Sequence, residues 1–267
     1  MMEILFTLTP AEAKRLLAKA VVQLPAVQKA FKYGRLAIVN GTTNAFVVEE
    51  LLHETISKER FTYGVITAGR TCSNDPDKAL KPYLFEQGQR VEANLKEFLA
   101  ALQGADVVIK GANAVDHEGN IGILLGSRDG GTIGAAWPTL QAVGATLIVP
   151  VGLEKLVPAV RQVPASVGID NYAHSLGMPV GYMPITTKAT VVTEIEALAI
   201  LGKVEATLIA AGGTGGSEGS TTFVVAGTEE RVEKVWQLIK QIKGEPPVRR
   251  ARQACANCSV RCDACHD

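Results

Sequence analysis

The sequence predicts an α/β fold: a doubly wound, mostly parallel sheet, a small C-terminal α+β module and a cysteine-rich tail. Three observations predict it. Short runs apolar on both faces recur at 35–40, 63–68, 106–110, 120–125 and 145–151. Strands of that kind are buried on both sides, as in a parallel sheet covered by helices. Helical segments alternate with several of these runs, and the pattern changes after about Ala189. Finally, residues 255–265 hold four of the five cysteines.

Thr9-Pro10-Ala11-Glu12 is a capping box with proline at the first helical position. It predicts a helix to about Lys32, interrupted at Pro25. Residues 35–40 form a short strand that ends in Gly41-Thr42-Thr43-Asn44, and an apolar-periodic helix over 45–57 follows. Residues 63–68 read as the next strand. A long helix is expected over 85–103, stopped by Gly104. Three further strands then fall at 106–110, 120–125 and 145–151. Beyond 189 come a strand at 190–193, a helix at 194–201, and strands at 206–211 and 221–226. The last two are joined by the glycine-rich run 212–219. Thr228 caps a charged amphipathic helix through Ile242. This βαββα order suggests a small antiparallel module. The expected division is a ligand-binding domain over 1–188, the module over 189–245, and a linker and tail over 246–267.

The chain has 267 residues and balanced charge, with 27 basic and 27 acidic side chains. It is long enough for a full core. No basic face announces nucleic acid, and no apolar run reaches membrane-spanning length. The N-terminal residues 1–9 lack the regions of a signal peptide. A soluble cytoplasmic protein is the expectation, with cysteines kept reduced and suited to metal.

Two stretches carry candidate chemistry. At Gly41-Thr42-Thr43-Asn44, successive N–H groups and two hydroxyls open a helix, a favourable place for a phosphate or carboxylate. An ordinary turn with a capping threonine is the alternative. The second stretch is Lys110-Gly111-Ala112-Asn113-Ala114-Val115-Asp116-His117-Glu118-Gly119-Asn120, followed by Gly126-Ser127-Arg128-Asp129-Gly130-Gly131. A buried strand delivers a lysine, an amide and an acid into one loop. Such groups at a strand end can position a substrate and move protons. Lys110, Asn113 and Asp116 are the catalytic candidates. Gly111, Asn120, Arg128, Gly130 and Gly131 are the ligand-binding ones, beside Gly41 to Asn44. A plain hairpin with Asp, Glu, Gly and Asn at its turn is the alternative.

The strand ending in Gly-Thr-Thr-Asn, the run from Asp106 to Ala136 and the run from Ala145 to Val157 together resemble one superfamily. It is that of ribose-5-phosphate isomerases, CoA-transferases and initiation-factor-2B-like proteins. The Gly111-Ala112-Asn113-Ala114 segment and the Glu118-Gly119-Asn120 after it are most similar to its LUD (lactate-utilisation) branch. The resemblance covers roughly residues 35–156. It implies a doubly wound domain, often a homo-oligomer, whose glycine turns bind phosphorylated sugars, nucleotides or CoA thioesters. An isomerase or a transferase follows from it, or a non-catalytic metabolite-binding or electron-transfer accessory protein. Some positions depart from the isomerase pattern. Lys110 and Asn113 stand where that loop carries two acids, and Ile121-Gly122-Ile123-Leu124 replaces its lysine–glycine run. Glu218 resembles the transferase glutamate locally, but it reads as a hairpin tip. Cys72 lies loosely where a methylthioribose-phosphate isomerase has its cysteine, and a lone cysteine is more often inert. His53 reads as a surface or packing residue, and His174 has nothing nearby to fix its role.

Cys255, Cys258, Cys262 and Cys265 follow a C-x2-C-x3-C-x2-C spacing. Each C-x2-C can wrap a tight turn and aim two thiolates at one centre, giving a zinc site or an iron–sulfur cluster. His266 is a possible substitute ligand. Arg249, Arg250, Arg252 and Arg261 would offset the thiolate charge. A flexible tail of reduced or paired thiols is the alternative.

Overall fold

The computed structural model describes residues 1–249, 252–258, 260 and 262–266. It is a mixed α/β protein with seven α-helices among the described residues. Its main sheet has six strands in the order Ala189–Val192, Thr146–Pro150, Val107–Ile109, Arg35–Ile38, Tyr83–Glu86 and Gln89–Arg90. The first four run parallel. The last two are antiparallel additions. Leu36, Ile38, Val108, Ile109, Leu147 and Val149 are fully or almost fully buried. Their apolar character on both faces is what a sheet covered on both sides demands.

Local signals fix the first helices. Thr9 and Glu12 close the expected capping box, with the Thr9 N–H donating to Glu12 Oε2 at 2.9 Å. The helix Pro10–Gln23 stops before Pro25, which opens a second helix, Pro25–Tyr33. Proline supplies no N–H for the previous turn and suits a first helical position.

Several elements differ from the sequence reading. The long helix expected over 85–103 is replaced by a hairpin of Tyr83–Glu86 and Gln89–Arg90, then the short helix Leu95–Ala100. Gln87 and Gly88 both have positive φ, the conformation a two-residue hairpin turn requires. Residues 120–125 and 63–68 do supply strands, but outside the main sheet. Ile121–Leu125 lies between Ala114–Val115 and Gly181–Ile185 in an antiparallel sheet. Gly64–Thr67 pairs with Arg70–Ser73.

The expected module over 189–245 shares its strands with the rest of the chain. Ala189–Val192 extends the main sheet. Ser220–Gly227 pairs with Glu205–Gly212 on one side and with the N-terminal strand Met2–Leu8 on the other. The helix Glu229–Ile242 packs its apolar side, including Val232, Val235 and Ile239, into the same core. No helix among the described residues is long and apolar enough to cross a membrane.

Candidate functional site

Four parallel strands end at one edge of the main sheet. Beyond those carboxyl ends lies a cavity of about 1310 Å³. This is where open α/β sheets place their ligands. Its lining includes Gly41, Thr42 and Thr43 from the first crossover and Lys110, Gly111 and Asn113 from the second. Glu154 and Lys155 come from the third.

The Gly41 turn opens the helix Thr42–Leu52, whose N-terminus has no side-chain cap. The first-turn N–H groups therefore remain available to an outside acceptor. Gly41 is extended (φ 168°), so its backbone shape does not require glycine. A Cβ there would meet only the Asn44 side chain, at 3.7 Å. Asn44 itself is buried and structural. Its Nδ2 donates to the Val39 carbonyl at 2.7 Å and the Ile109 carbonyl at 3.0 Å, tying two strand ends together. It does not line the cavity, so its expected ligand contact gives way to this brace.

Lys110 leaves the end of Val107–Ile109 and enters the cavity, with Nζ donating to the Gly111 carbonyl at 3.3 Å. Lys155 follows the strand Thr146–Pro150, and its Nζ donates to the Ala112 carbonyl at 3.1 Å. Burial pushes Lys110 down to about 8, and the Lys155 charge adds to the effect. Burial also pushes Lys155 to about 8, with Lys14 adding to it and Glu154 and Glu194 opposing. Two cations held together in a poorly solvated place bind an anion well, because the anion relieves both penalties. Lys155 was absent from the sequence candidates. Its signal was its place just past an apolar strand, in Val151-Gly152-Leu153-Glu154-Lys155.

Charged groups continue behind the lysines. Lys14 pairs with Glu154 at 2.6 Å. Glu194, fully buried at the start of the helix Glu194–Gly202, accepts the Leu153 N–H at 2.8 Å. Burial raises its pKa to about 7, with Glu154 adding to the shift.

The remaining candidates separate. Asp116 is buried and takes no part in the cavity lining. It accepts N–H bonds from Glu118, Asn120 and Val160 and from the Asn120 amide, at 2.9–3.1 Å. Burial raises its pKa, but these donors outweigh it and hold the carboxyl below its ordinary value. Asp116 and Asn120 thus organise the turn of the Ala114–Val115 hairpin instead of meeting Lys110. Asn113 does line the cavity, and its Oδ1 accepts the Leu124 N–H at 3.0 Å.

Gly130 and Gly131 line the cavity as well, at the start of the helix Gly131–Val143. Gly130 is left-handed (φ 73°), and a Cβ would sit 3.0 Å from Gly134. Yet the Gly131 N–H is already taken by Asp129 Oδ1 at 2.9 Å. A carboxylate of the protein occupies this helix start, so it is a poor cradle for a second anion. Arg128 points to the surface and forms a two-bond pair with Asp170, at 2.8 and 2.7 Å.

Glu218 sits on an exposed hairpin tip, as expected, and accepts the Gly216 N–H at 2.9 Å. That tip reaches the cavity wall. His53 is an exposed left-handed cap of the helix Thr42–Leu52. His174 Nδ1 lies 3.4 Å from Asp263 Oδ2.

In the tail, Cys255–Asn257 forms one tight helical turn, and the Cys258 N–H donates to the Cys255 carbonyl at 3.1 Å. Cys72, Cys255, Cys258 and Cys262 are free thiols. Among the described residues, no three His, Cys, Asp or Glu side chains already stand together as a metal site. The side chains of Cys265 and His266 lie outside the described residues, as do Arg250 and Arg261.

No family model, curated protein or solved structure matches this chain.

Proposed function

We propose that this protein binds an anionic small molecule, a phosphorylated sugar, a nucleotide or a CoA-type compound, in the large cavity. The carrying observation is the convergence of Lys110 and Lys155 beside the uncapped start of the Thr42–Leu52 helix. The amines and the N–H groups suit a phosphate, and the open length of the cavity suits a nucleotide-sized body. The proposal includes the doubly wound arrangement and the superfamily that the sequence resembles. It also includes a homo-oligomeric cytoplasmic protein and a zinc or iron–sulfur site at the tail.

Within this reading Lys110 is the proton-moving group of an isomerase or transferase. Its lowered pKa brings an amine close to working pH. Asn113 would orient the ligand through its amide nitrogen, since its oxygen is already engaged. A second reading, a non-catalytic metabolite-binding or electron-transfer accessory protein, gains from the removal of Asp116 from the cavity. Without it, the predicted acid partner of Lys110 is missing.

Calorimetry with a ribose phosphate, ATP and acetyl-CoA tests the binding claim. At least one should bind the native protein and lose affinity in Lys110→Met and Lys155→Met. Absence of binding by all three classes would refute it. Turnover lost in Lys110→Met, with a ligand still bound, would favour the enzyme; binding without turnover would favour the accessory protein.

A further inference from the structure

The five cysteines are split in the sequence, with Cys72 far from the other four. The fold brings Cys72 to three of those four, Cys255, Cys258 and Cys262. The chain end returns to the hairpin Gly64–Thr67/Arg70–Ser73 and to the loop near Gly177. The Gln253 N–H donates to the Ser73 carbonyl at 3.0 Å. Arg70 Nη1 donates to the Ala264 carbonyl at 3.2 Å. The Ser175 N–H donates to Asp263 Oδ2 at 2.7 Å. Between these segments is a small cavity of about 30 Å³, lined by Cys72, Cys255, Cys258 and Cys262 and flanked by Arg70 and Arg252.

A second observation concerns the sulfur itself. The Gly177 N–H donates to Cys262 Sγ at 3.1 Å. Gly177 has φ 130°, and a Cβ there would lie 2.6–2.8 Å from Thr71 atoms. Only glycine brings this N–H against the sulfur. Backbone donors to sulfur stabilise a thiolate over a thiol and tune thiolate-bound metals. Two arginines beside the cavity offset the charge of several thiolates.

We propose that Cys72, Cys255, Cys258 and Cys262 bind one thiophilic divalent ion of the zinc type as a single four-thiolate site. This deepens the tail-metal reading by moving one ligand from Cys265 to the core. The chemistry is direct: four thiols give up four protons and close a tetrahedron around the ion. The space between the segments is small, and four thiolates complete the coordination shell of one such ion. The sulfurs are not yet gathered, so the ion closes the last part of the site by drawing the tail turn towards the hairpin. Cys72, Thr71, Ser73 and Met178 also line the large cavity. The metal would therefore form part of its wall, and tail and ligand cavity would be one unit.

The test is a Co²⁺ titration of reduced, metal-stripped full-length protein. One Co²⁺ per chain is expected, with the absorption of a tetrahedral thiolate site. Cys72→Ser should lower the sulfur-to-cobalt band by about a quarter and the affinity by about tenfold or more. Cys265→Ser should change neither. Zinc should also shield Cys72 from alkylation in the unaltered protein, a readout that needs no variant. A band that survives Cys72→Ser but is lost in Cys265→Ser would overturn the proposal and leave a tail-only site. No bound Co²⁺ would remove both. Iron with sulfide in anaerobically purified protein would replace the single ion by a cluster. Anion binding is measured on metal-free protein, so its failure is separate.

Discussion

Lys110 and Lys155 leave the ends of two neighbouring parallel strands and donate to consecutive carbonyls of one loop, those of Gly111 and Ala112. The loop holds the two amines side by side without neutralising either. The Lys155 charge lowers the proton affinity of Lys110, and the Lys14 charge that of Lys155, where burial has already lowered both.

Anion binding should therefore weaken as pH rises through about 8, where both amines lose their protons. Calorimetry at pH 7 and pH 9 should show affinity falling by about tenfold for each unit of pKa the ligand restores to a lysine. In Lys110→Met the remaining pH dependence should be shallower. A flat profile in the native protein would exclude the lysines from binding.

Gly41→Val should separate stability from binding. The backbone at Gly41 is extended, and the Cβ has room. The change should shift the unfolding free energy by less than about 0.5 kcal/mol. It should still obstruct an anion approaching the Thr42 and Thr43 N–H groups. Equal losses of melting temperature and affinity would mean that the glycine serves the fold.

Glu194 should make the protein less stable as pH rises from about 4.5 towards 7. Its carboxyl is raised to about 7 in the folded chain against an ordinary value of 4.5. In that window the folded state holds a proton that the unfolded state has released. Stability is fully present below the lower value and is lost through the upper one, by up to about 3 kcal/mol. Urea titrations of Glu194→Gln should lack this slope.

Asp116→Ala should destabilise the fold and spare the cavity. It strips acceptors from the Asn120 and Val160 N–H groups, both bonded in buried surroundings. The cost should be about 2–4 kcal/mol. Ligand affinity of the folded fraction should match the native protein. A selective loss of affinity would return Asp116 to the site.

The legible parts of the fold were those with local causes. Thr9 and Glu12 satisfy each other within one turn, and Pro25 separates one helix from the next. The runs at 35–40, 106–110 and 145–151 are apolar on both faces, and each supplies a buried strand of the main sheet. What escaped depended on distant partners. Tyr83–Glu86 is a strand because Arg35–Ile38 accepts it, and Gln87-Gly88 turns the chain back where the helical pattern read through. Met2–Leu8 has its partner near the other end of the chain. At the site, Lys110 and the Gly41 turn were visible from their place after strands. Asp116 misled because a carboxylate bonded within its own hairpin looks, in sequence, like one aimed at a ligand. Cys72 looked solitary because nothing local announces a contact with the tail.

The pairing of Met2–Leu8 with Ser220–Gly227 also has a bearing on synthesis. Thr7 and Thr222 meet across 215 positions of chain. A ribosome adding about 5–20 residues per second leaves the first strand waiting roughly 10–40 s for its neighbour. During that interval its backbone donors and acceptors are unmatched, and Phe6 and Leu8, buried in the finished protein, face water. The nascent chain thus carries an unfinished edge while the segment between the two strands is made. Crowded translation should expose that edge to its own copies, and a chaperone that shields the first ten residues should raise the yield of folded protein.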